Sequence, residues 1–502
     1  MRIKVVLVFM FFTIFNLTSE ILQTDRLELK YSSWVKNKLI PLKKDGFLIV
    51  RVNKSRNKKI KKNTIIAKYD TNFTRIWKKG YLFDRKLSFE DSCTTDDEII
   101  LFFRNKRNGK FILLSFEKNT GKERRIDGKL LPKAVLQDFQ YSNNKIYYLA
   151  LTQQILVVKQ KITLSTINIF DGSLKTTFVS DRKKELIDSF RIDEKNQTAS
   201  LSLIDKVGKK VSISFFDQNT DLIKTINYPQ KDDNKTFVTA KIHHLNSDKT
   251  ILMGSYSVKF SPYTTGIYVA QLDKNYSIID VKYYNFNTFN NYFAYLSEKG
   301  QEKMERKRER KKKWGKEFKI QNQFLDHDLI IKDNQFIWIA EGYYPTYTSQ
   351  TCTTSGGSCG TTTFSVLVFD GWLYTHAVAA AFNFDGEKLW DASIKIGDFK
   401  TYELHEIVKV SMNKNNIALL YVVGKAIRLT EIKNGKIVTD KAKVNLETLT
   451  ENEEIKGFSR SEIDLWYDNY YICWGDQKVK DLDKKIKSKK RVFFVNKISV
   501  TE

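Results

Sequence analysis

Five histidines are the first residues to weigh for chemistry. His243 and His244 are adjacent beside an alternating segment, and His327 stands between Asp326 and Asp328 in "LDHDL". His376 follows a turn at Trp372, and His405 lies between Glu403 and Glu406. Imidazoles beside carboxylates can hold a metal or move a proton. In a strand, however, Asp326 and Asp328 face one way and His327 the other. A metal site there needs partners from another strand. His405 and Glu406 lack the second histidine of an H-E-x-x-H helix, and no G-x-S-x-G elbow, P-loop or Rossmann glycine run is present. No cofactor or metal ligand set is therefore expected. A carboxylate pair for glycoside hydrolysis leaves no linear motif, because its geometry is three-dimensional.

Cys93, Cys352, Cys359 and Cys473 are the four cysteines. Cys352 and Cys359 flank "TTSGGS", a loop that can bring two thiols together, and a disulfide between them is expected if the chain is exported. None of the four has metal-ligand spacing. Cys93 and Cys473 either pair where the chain ends meet or are buried free thiols. Export is the expectation set by "MRIKVVLVFMFFTIFNLTS": two basic residues, an apolar run too short for a comfortable span, then small and polar residues. Residues 1–19 read as a signal peptide. No Cys follows the apolar run to carry a lipid anchor, and no later stretch reads as a membrane span.

The elements that must position any site recur. "AKYDTNFTRIW", "LSFEKNTGKERRI", "INIFDGSLKTTF", "ISFFDQNTDLIKTI", "VAQLDKNYSIIDV", "AFNFDGEKLWDASI" and "LTEIKNGKIVTD" each read as strand, turn, strand. The turns start at Asp70, Glu117, Asp171, Asp217, Asp273, Asp385 and Lys433, at intervals of 47, 54, 46, 56, 112 and 48 residues. Inner hairpins precede several of them, giving about four strands per unit. Four short antiparallel strands repeated every 40–50 residues are the propeller pattern. The expectation is an all-β fold: a single propeller domain over residues 20–502, seven-bladed or alternatively eight-bladed. The repeated turn Asp residues read as caps. The stretches from Asp468 and Lys489 supply either an eighth, incomplete unit or a strand that closes on the N-terminal segment.

The long interval holds a charged helical insertion at about 287–320 and a long hairpin insertion at about 343–364. A helix weakened at Gly300 is expected in the first, with Glu302–Arg306 and Glu309–Lys313 pairs. Lys303, Arg306, Lys307, Arg308, Arg310, Lys311, Lys312 and Lys313 give it eight basic residues against two acidic ones over Lys303–Lys313. That run reads as a solvated strap or as a contact for an acidic partner or anionic surface; export disfavours nucleic acid. Tyr343, Tyr344, Tyr347 and Trp372 bracket the second insertion and read either as a partner surface or as cross-strand pairs.

"FNFDGEKLW" resembles the repeat of quinoprotein-like propellers. Asp385, Gly386 and Trp390 match it, Asp70 and Trp77 match loosely, and Asn119–Gly121 match the turn. The resemblance implies architecture. "EGYYPTYT" and "FDGWLYTHAVAAAFNFDG" resemble segments of uncharacterised secreted propeller proteins of Bacteroidota, which implies an exported protein of the periplasm, outer membrane or cell surface. The function expected from this reading is a non-catalytic binding or scaffold subunit whose partners are envelope or outer-membrane proteins. The alternatives are a secreted carbohydrate-active or other hydrolytic propeller, and a binder of anionic surfaces.

Overall fold

The structure is a computed structural model. It describes residues 20–32, 34–53, 62–154, 159–181, 185–205, 210–229, 234–258, 263–316, 318, 320, 322–355, 361–413, 416–482 and 489–501. The expected signal peptide lies outside the described residues.

In the first two repeats the second and third strands carry long apolar runs, and the outer strand of the second repeat alternates. Phe47–Asn53 and Glu98–Arg104 are buried over most of their length, whereas Glu123–Lys129 is alternately exposed and half-buried. Strands covered on both faces read as solid hydrophobic stretches, and an outer strand with one covered face alternates. The result is all-β: eight antiparallel sheets of four or five strands among the described residues, plus one α-helix, in a propeller-like arrangement. Sheets are numbered here in chain order, and the first strand of each is its leading strand.

Seven sheets are built from consecutive strands. The leading strands are Val35–Pro41, Ser88–Thr94, Ala134–Ser142, Glu185–Asp193, the pair Lys235–Phe237 and Lys241–His244, the pair Gln323–Asp326 and Ile330–Lys332, and Lys409–Asn413. The eighth sheet joins both ends of the described chain: Glu20–Lys30 pairs with Lys489–Thr501, which continues into Tyr470–Asp481 and Glu453–Tyr467.

The core is divided into eight clusters among the described residues, and each draws on two sheets. Leu48 and Val50 of the first sheet pack with Leu101 and Phe103 of the second. Phe102 of the second packs with Tyr148 of the third, and so on along the chain. The remaining cluster sets Phe47 and Ile49 of the first sheet against Trp466 and Trp474 of the eighth.

Four of the turn carboxylates, Asp70, Asp171, Asp217 and Asp273, are caps. Asp70 accepts from the backbone N–H of Asn72 and Thr74 at 2.9 and 2.8 Å. Asp217 and Asp273 bond the same two positions, Asn219 and Asp221, Asn275 and Ser277. In the sixth sheet that work is done by Asn383, which receives Asp385 and Glu387 N–H at 3.1 and 2.8 Å. Asp385 is instead an exposed partner of Lys249. Trp390 leans on the following sheet's turn, where a Cβ on Gly435 would come within 2.8 Å of it.

The first insertion is held by its aromatics. Phe286, Phe289, Tyr292 and Phe318 fill the cluster between the fifth and sixth sheets, and the helix Glu298–Lys313 has no buried residue. Ser297 caps it through the Gly300 N–H at 3.3 Å. Gly300 therefore lies in the first turn and interrupts nothing, because the helix begins only at Glu298. Glu302 and Arg306 pair at 3.9 Å, and Arg308 pairs with Glu305 at 2.8 Å. No helix among the described residues is long and apolar enough to cross a membrane.

Candidate active site

Several leading strands carry carboxylates at irregular points of their pairing: Asp91, Asp138, Asp188 and Asp464. The leading strands of the second, third and fourth sheets each slip register near the same point, at Phe89/Asp91, Leu136/Asp138 and Ile187/Ser189. A bulge re-aims side chains and often borders a site. Asp91, Asp138 and Asp464 each accept the N–H of the following residue, at 2.8, 2.7 and 3.0 Å. Asp188 is the extra residue of its bulge. It accepts the Ala240 N–H of the fifth sheet at 2.7 Å.

Asp138, Asp188, Arg191, Lys241, His243 and Asp328 line a cleft of about 940 Å³, with Tyr141, Phe190 and Tyr276 among its walls. Its polar groups are cross-linked between sheets. Gln140 donates to the Phe190 carbonyl at 2.9 Å, and Arg191 pairs with Asp328. Thr239 Oγ1 donates to Asp326 at 3.0 Å, and Lys241 Nζ reaches the Asp326 carbonyl at 3.2 Å. Adjacent residues Thr239 and Ala240 thus hold two carboxylates, Asp326 and Asp188.

Burial governs the titration here. It pushes Asp188 up to about 7, with Asp326 adding to the rise, while the Ala240 N–H, Lys241 and Arg191 oppose it. Burial also raises Asp326, against Lys241 and Thr239. Asp138 is raised by burial and held back by the Phe139 N–H, Gln140 and Arg191. Burial and the cations Arg191 and Lys241 keep His243 neutral. A carboxyl that titrates near neutrality in a cleft is suited to donate or take a proton.

The other histidines serve different ends. His327 points away from the cleft and meets the fully buried Glu341 at 2.7 Å. Glu341 also accepts the Ile407 and Val408 N–H at 3.0 and 2.9 Å, clamping the sixth sheet to the seventh. His376 is buried, stacks on Tyr295 at 3.9 Å between centroids, and is lowered to about 3 by burial. His405 lies beside a second cavity of about 290 Å³ with Glu406, Lys409 and Asp464. Among the described residues no cluster of three or more His, Cys, Asp or Glu is placed to hold a metal ion.

The basic run Lys303–Lys313 stands apart from both cavities, on the exposed helix. Tyr343 and Trp372 pack edge to face at 5.4 Å where the long hairpin leaves its sheet, while Tyr344 and Tyr347 are exposed. Cys359 lies outside the described residues, and with it the Cys352–Cys359 bond. Cys93 and Cys473 are free thiols rather than a pair, on the second and eighth sheets, and burial raises both. Asp138 and Asp188 were not singled out from sequence. One signal was present: Asp91, Asp138 and Asp188 recur at 47 and 50 residues, the period of the turns.

No family model and no curated protein matches the chain. Among solved structures it is similar to a prolyl endopeptidase at TM-score 0.38 and 9% identity, over 89% of this chain and 55% of that one. The chain therefore spans about half the length of that endopeptidase. It is similar to polysaccharide lyase Uly1 at TM-score 0.37 and 8% identity, over 81% and 89% of the two chains. The β-propeller domain of the Trilobed protease from Pyrococcus furiosus gives 0.33 and 10%, over 80% and 97%. Similarities this distant assign no activity to this chain.

Proposed function

We propose that this chain is an exported, eight-bladed propeller whose leading-strand cleft hydrolyses a glycosidic bond. The blade count and ring closure are supported by the eight inter-sheet clusters and by the cluster that joins first and eighth sheets. The reading of export rests on the composition of residues 1–19.

One observation carries the activity: Asp188, titrating near 7, shares a cleft with Asp138, whose carboxylate is held by a backbone N–H, Gln140 and Arg191. Asp188 donates its proton to the leaving oxygen as the C–O bond breaks. Asp138 takes a proton from the water whose oxygen attacks the anomeric carbon. Arg191 and Lys241 offset the carboxylate charge, and Tyr141 and Tyr276 line the same cleft. The test is a screen of the full chain on polysaccharides and glycoconjugates, followed by Asp188→Asn and Asp138→Asn. Each should reduce turnover by roughly 10²–10⁴-fold. The exposed turn variant Asp385→Asn should leave turnover unchanged. An inactive wild type, or active variants at both cleft positions, would end the reading.

A second reading, the non-catalytic scaffold of an envelope complex, is favoured by the helix Glu298–Lys313, which buries no residue and presents its cations to solvent. Its partners would be acidic outer-membrane or secreted proteins. Affinity purification from membranes at low and high salt tests it, and recovery of a monomer with no co-purifying protein counts against it.

A further inference from the structure

From Gly342 to Phe369 there is no Asp, Glu, Lys, Arg or His, in a protein in which 28% of residues are charged. This uncharged stretch is also where the sixth sheet thins. Its two longest strands pair from Gln335↔Asn383 to Ser355↔Thr361, with register shifts at Gly342/Tyr343 and Pro345/Tyr347. The leading strand reaches only to Gln323↔Tyr343, and the outer strand only to Trp372↔Thr401. Beyond them a two-stranded ribbon continues alone, from Tyr347↔Phe369 to Ser355↔Thr361. At about 3.3 Å per residue it extends about 30 Å.

Both faces of the ribbon show apolar side chains. Phe364, Val366 and Val368 are 45, 40 and 36% exposed on one face. Leu367 is 72% exposed on the other, beside the exposed Phe369–Tyr347 pair. A free two-stranded ribbon is marginal in water, and an uncharged edge is an invitation to other surfaces. At its root Tyr343, Trp372 and Phe369 form a chain of rings, with centroids 5.4 and 5.1 Å apart. Tyr and Trp favour the border between water and lipid.

The cationic helix is rooted at the same level. Tyr295, two residues before its cap, stacks on His376, which pairs with Gly342 at the ribbon's root. The helix residues Glu298–Lys313 carry nine Lys or Arg against four Glu.

We infer that the ribbon is a membrane-docking element, and that its occupant is a bilayer with anionic headgroups. A protein groove covers one face of a ribbon, whereas a lipid boundary can receive both. The helix supplies the complementary charge, worth most near an anionic leaflet and at low salt. The ribbon's free edges keep unpaired backbone groups, which hydrocarbon cannot satisfy. It therefore enters the headgroup and acyl boundary and does not cross the bilayer.

The experiment is co-sedimentation of the full chain with vesicles of phosphatidylcholine and phosphatidylglycerol in equal parts, and with pure phosphatidylcholine. Wild type should bind the mixed vesicles. Leu367→Glu with Val368→Glu should weaken that binding by about tenfold or more without moving the melting temperature, since both sites are exposed. Lys307→Glu with Lys311→Glu and Lys312→Glu should remove the salt-dependent part only. Leu367→Trp should be quenched by brominated lipid beyond the wild-type background. No binding to the mixed vesicles, or no effect of the ribbon changes on it, overturns the inference. So does a ribbon whose changes abolish concentration-dependent dimerisation in vesicle-free buffer while vesicle binding stays absent, because the occupant is then a second copy.

Discussion

Trp77 of the first sheet lies across Gly121 in the turn of the second, so close that a Cβ on Gly121 would come within 2.9 Å of the indole. Its Nε1 donates to the neighbouring Lys118 carbonyl at 3.1 Å. The same relation recurs at Trp390 and Gly435, and Ile126 takes the indole's place against Gly172. One sheet's outer strand thereby fixes the next sheet's turn.

Gly121→Ala should destabilise the protein by roughly 2–4 kcal/mol, because it adds a Cβ against the ring and strains a positive φ. Gly80→Ala meets nothing within 4 Å and should stay within about 0.5 kcal/mol of wild type. Urea midpoints at unchanged slope would separate the two. Equal midpoints would mean that the turn yields freely.

His327 and His376 should give opposite pH effects from within one sheet. Burial opposes charging of His327, but the hydrogen bond to Glu341 and the charges of Glu341 and Glu406 outweigh it, and its pKa is raised. Its contribution is full below about 6.5, the unfolded value, and fades as pH rises through the folded value. His376 is lowered to about 3, so it costs stability as pH falls from 6.5 toward 3. His327→Gln should lose on the order of 1 kcal/mol more at pH 5.5 than at pH 9 (both values chosen to bracket the shift). His376→Gln should narrow the wild type's loss between about pH 6 and 4. Parallel pH curves for wild type and both variants would contradict this.

Asp188→Asn should stabilise the fold at neutral pH while removing activity. A carboxyl whose folded pKa lies near 7 holds a proton that the unfolded chain has released, so wild-type stability declines as pH rises from about 4 to 7. Asn keeps an acceptor for the Ala240 N–H and escapes that penalty. The gain should be on the order of 1–3 kcal/mol at pH 8 and vanish below about pH 4. A destabilised variant at pH 8 would show that the Asp188 charge is accommodated.

Reversing Lys307, Arg308, Lys311 and Lys312 to Glu should weaken the helix but not the sheets. Acidic residues in the last turn oppose the helix dipole at about 0.3–1 kcal/mol each, and Arg308 loses its Glu305 partner. Far-ultraviolet circular dichroism should show the helix signal fall, while the denaturation midpoint moves by less than about 1 kcal/mol, since no helix residue is buried. If an acidic partner docks there, wild-type affinity should fall with salt and the reversed chain should lose that dependence. A large drop in midpoint would place the helix within the core's cooperative unit.

The repeat was legible because its turns are local. Asp70, Asp217 and Asp273 bond N–H groups two and four residues on, a pattern visible in one short window. The eighth sheet was harder to read, because its Tyr467–Tyr470 turn shares no such cap and one strand comes from the far end of the chain. Asp385 stood out through its glycine, although Asn383 does the capping. The cleft carboxylates were hidden for another reason: Asp138 and Asp188 owe their setting to bulges and to Ala240 on another sheet, and no linear spacing encodes that.

The pairing of Glu20–Lys30 with Lys489–Thr501 orders events in time. Closing so long a loop costs roughly 5–6 kcal/mol of chain entropy, so these strands meet late, after the intervening sheets have formed. During synthesis, the first of these strands to emerge has no place to settle until the last one appears. A circular permutant that joins the two strands directly and opens between two other sheets would release that constraint. It would fold with its eighth sheet already local, and its refolding rate should exceed that of the natural order.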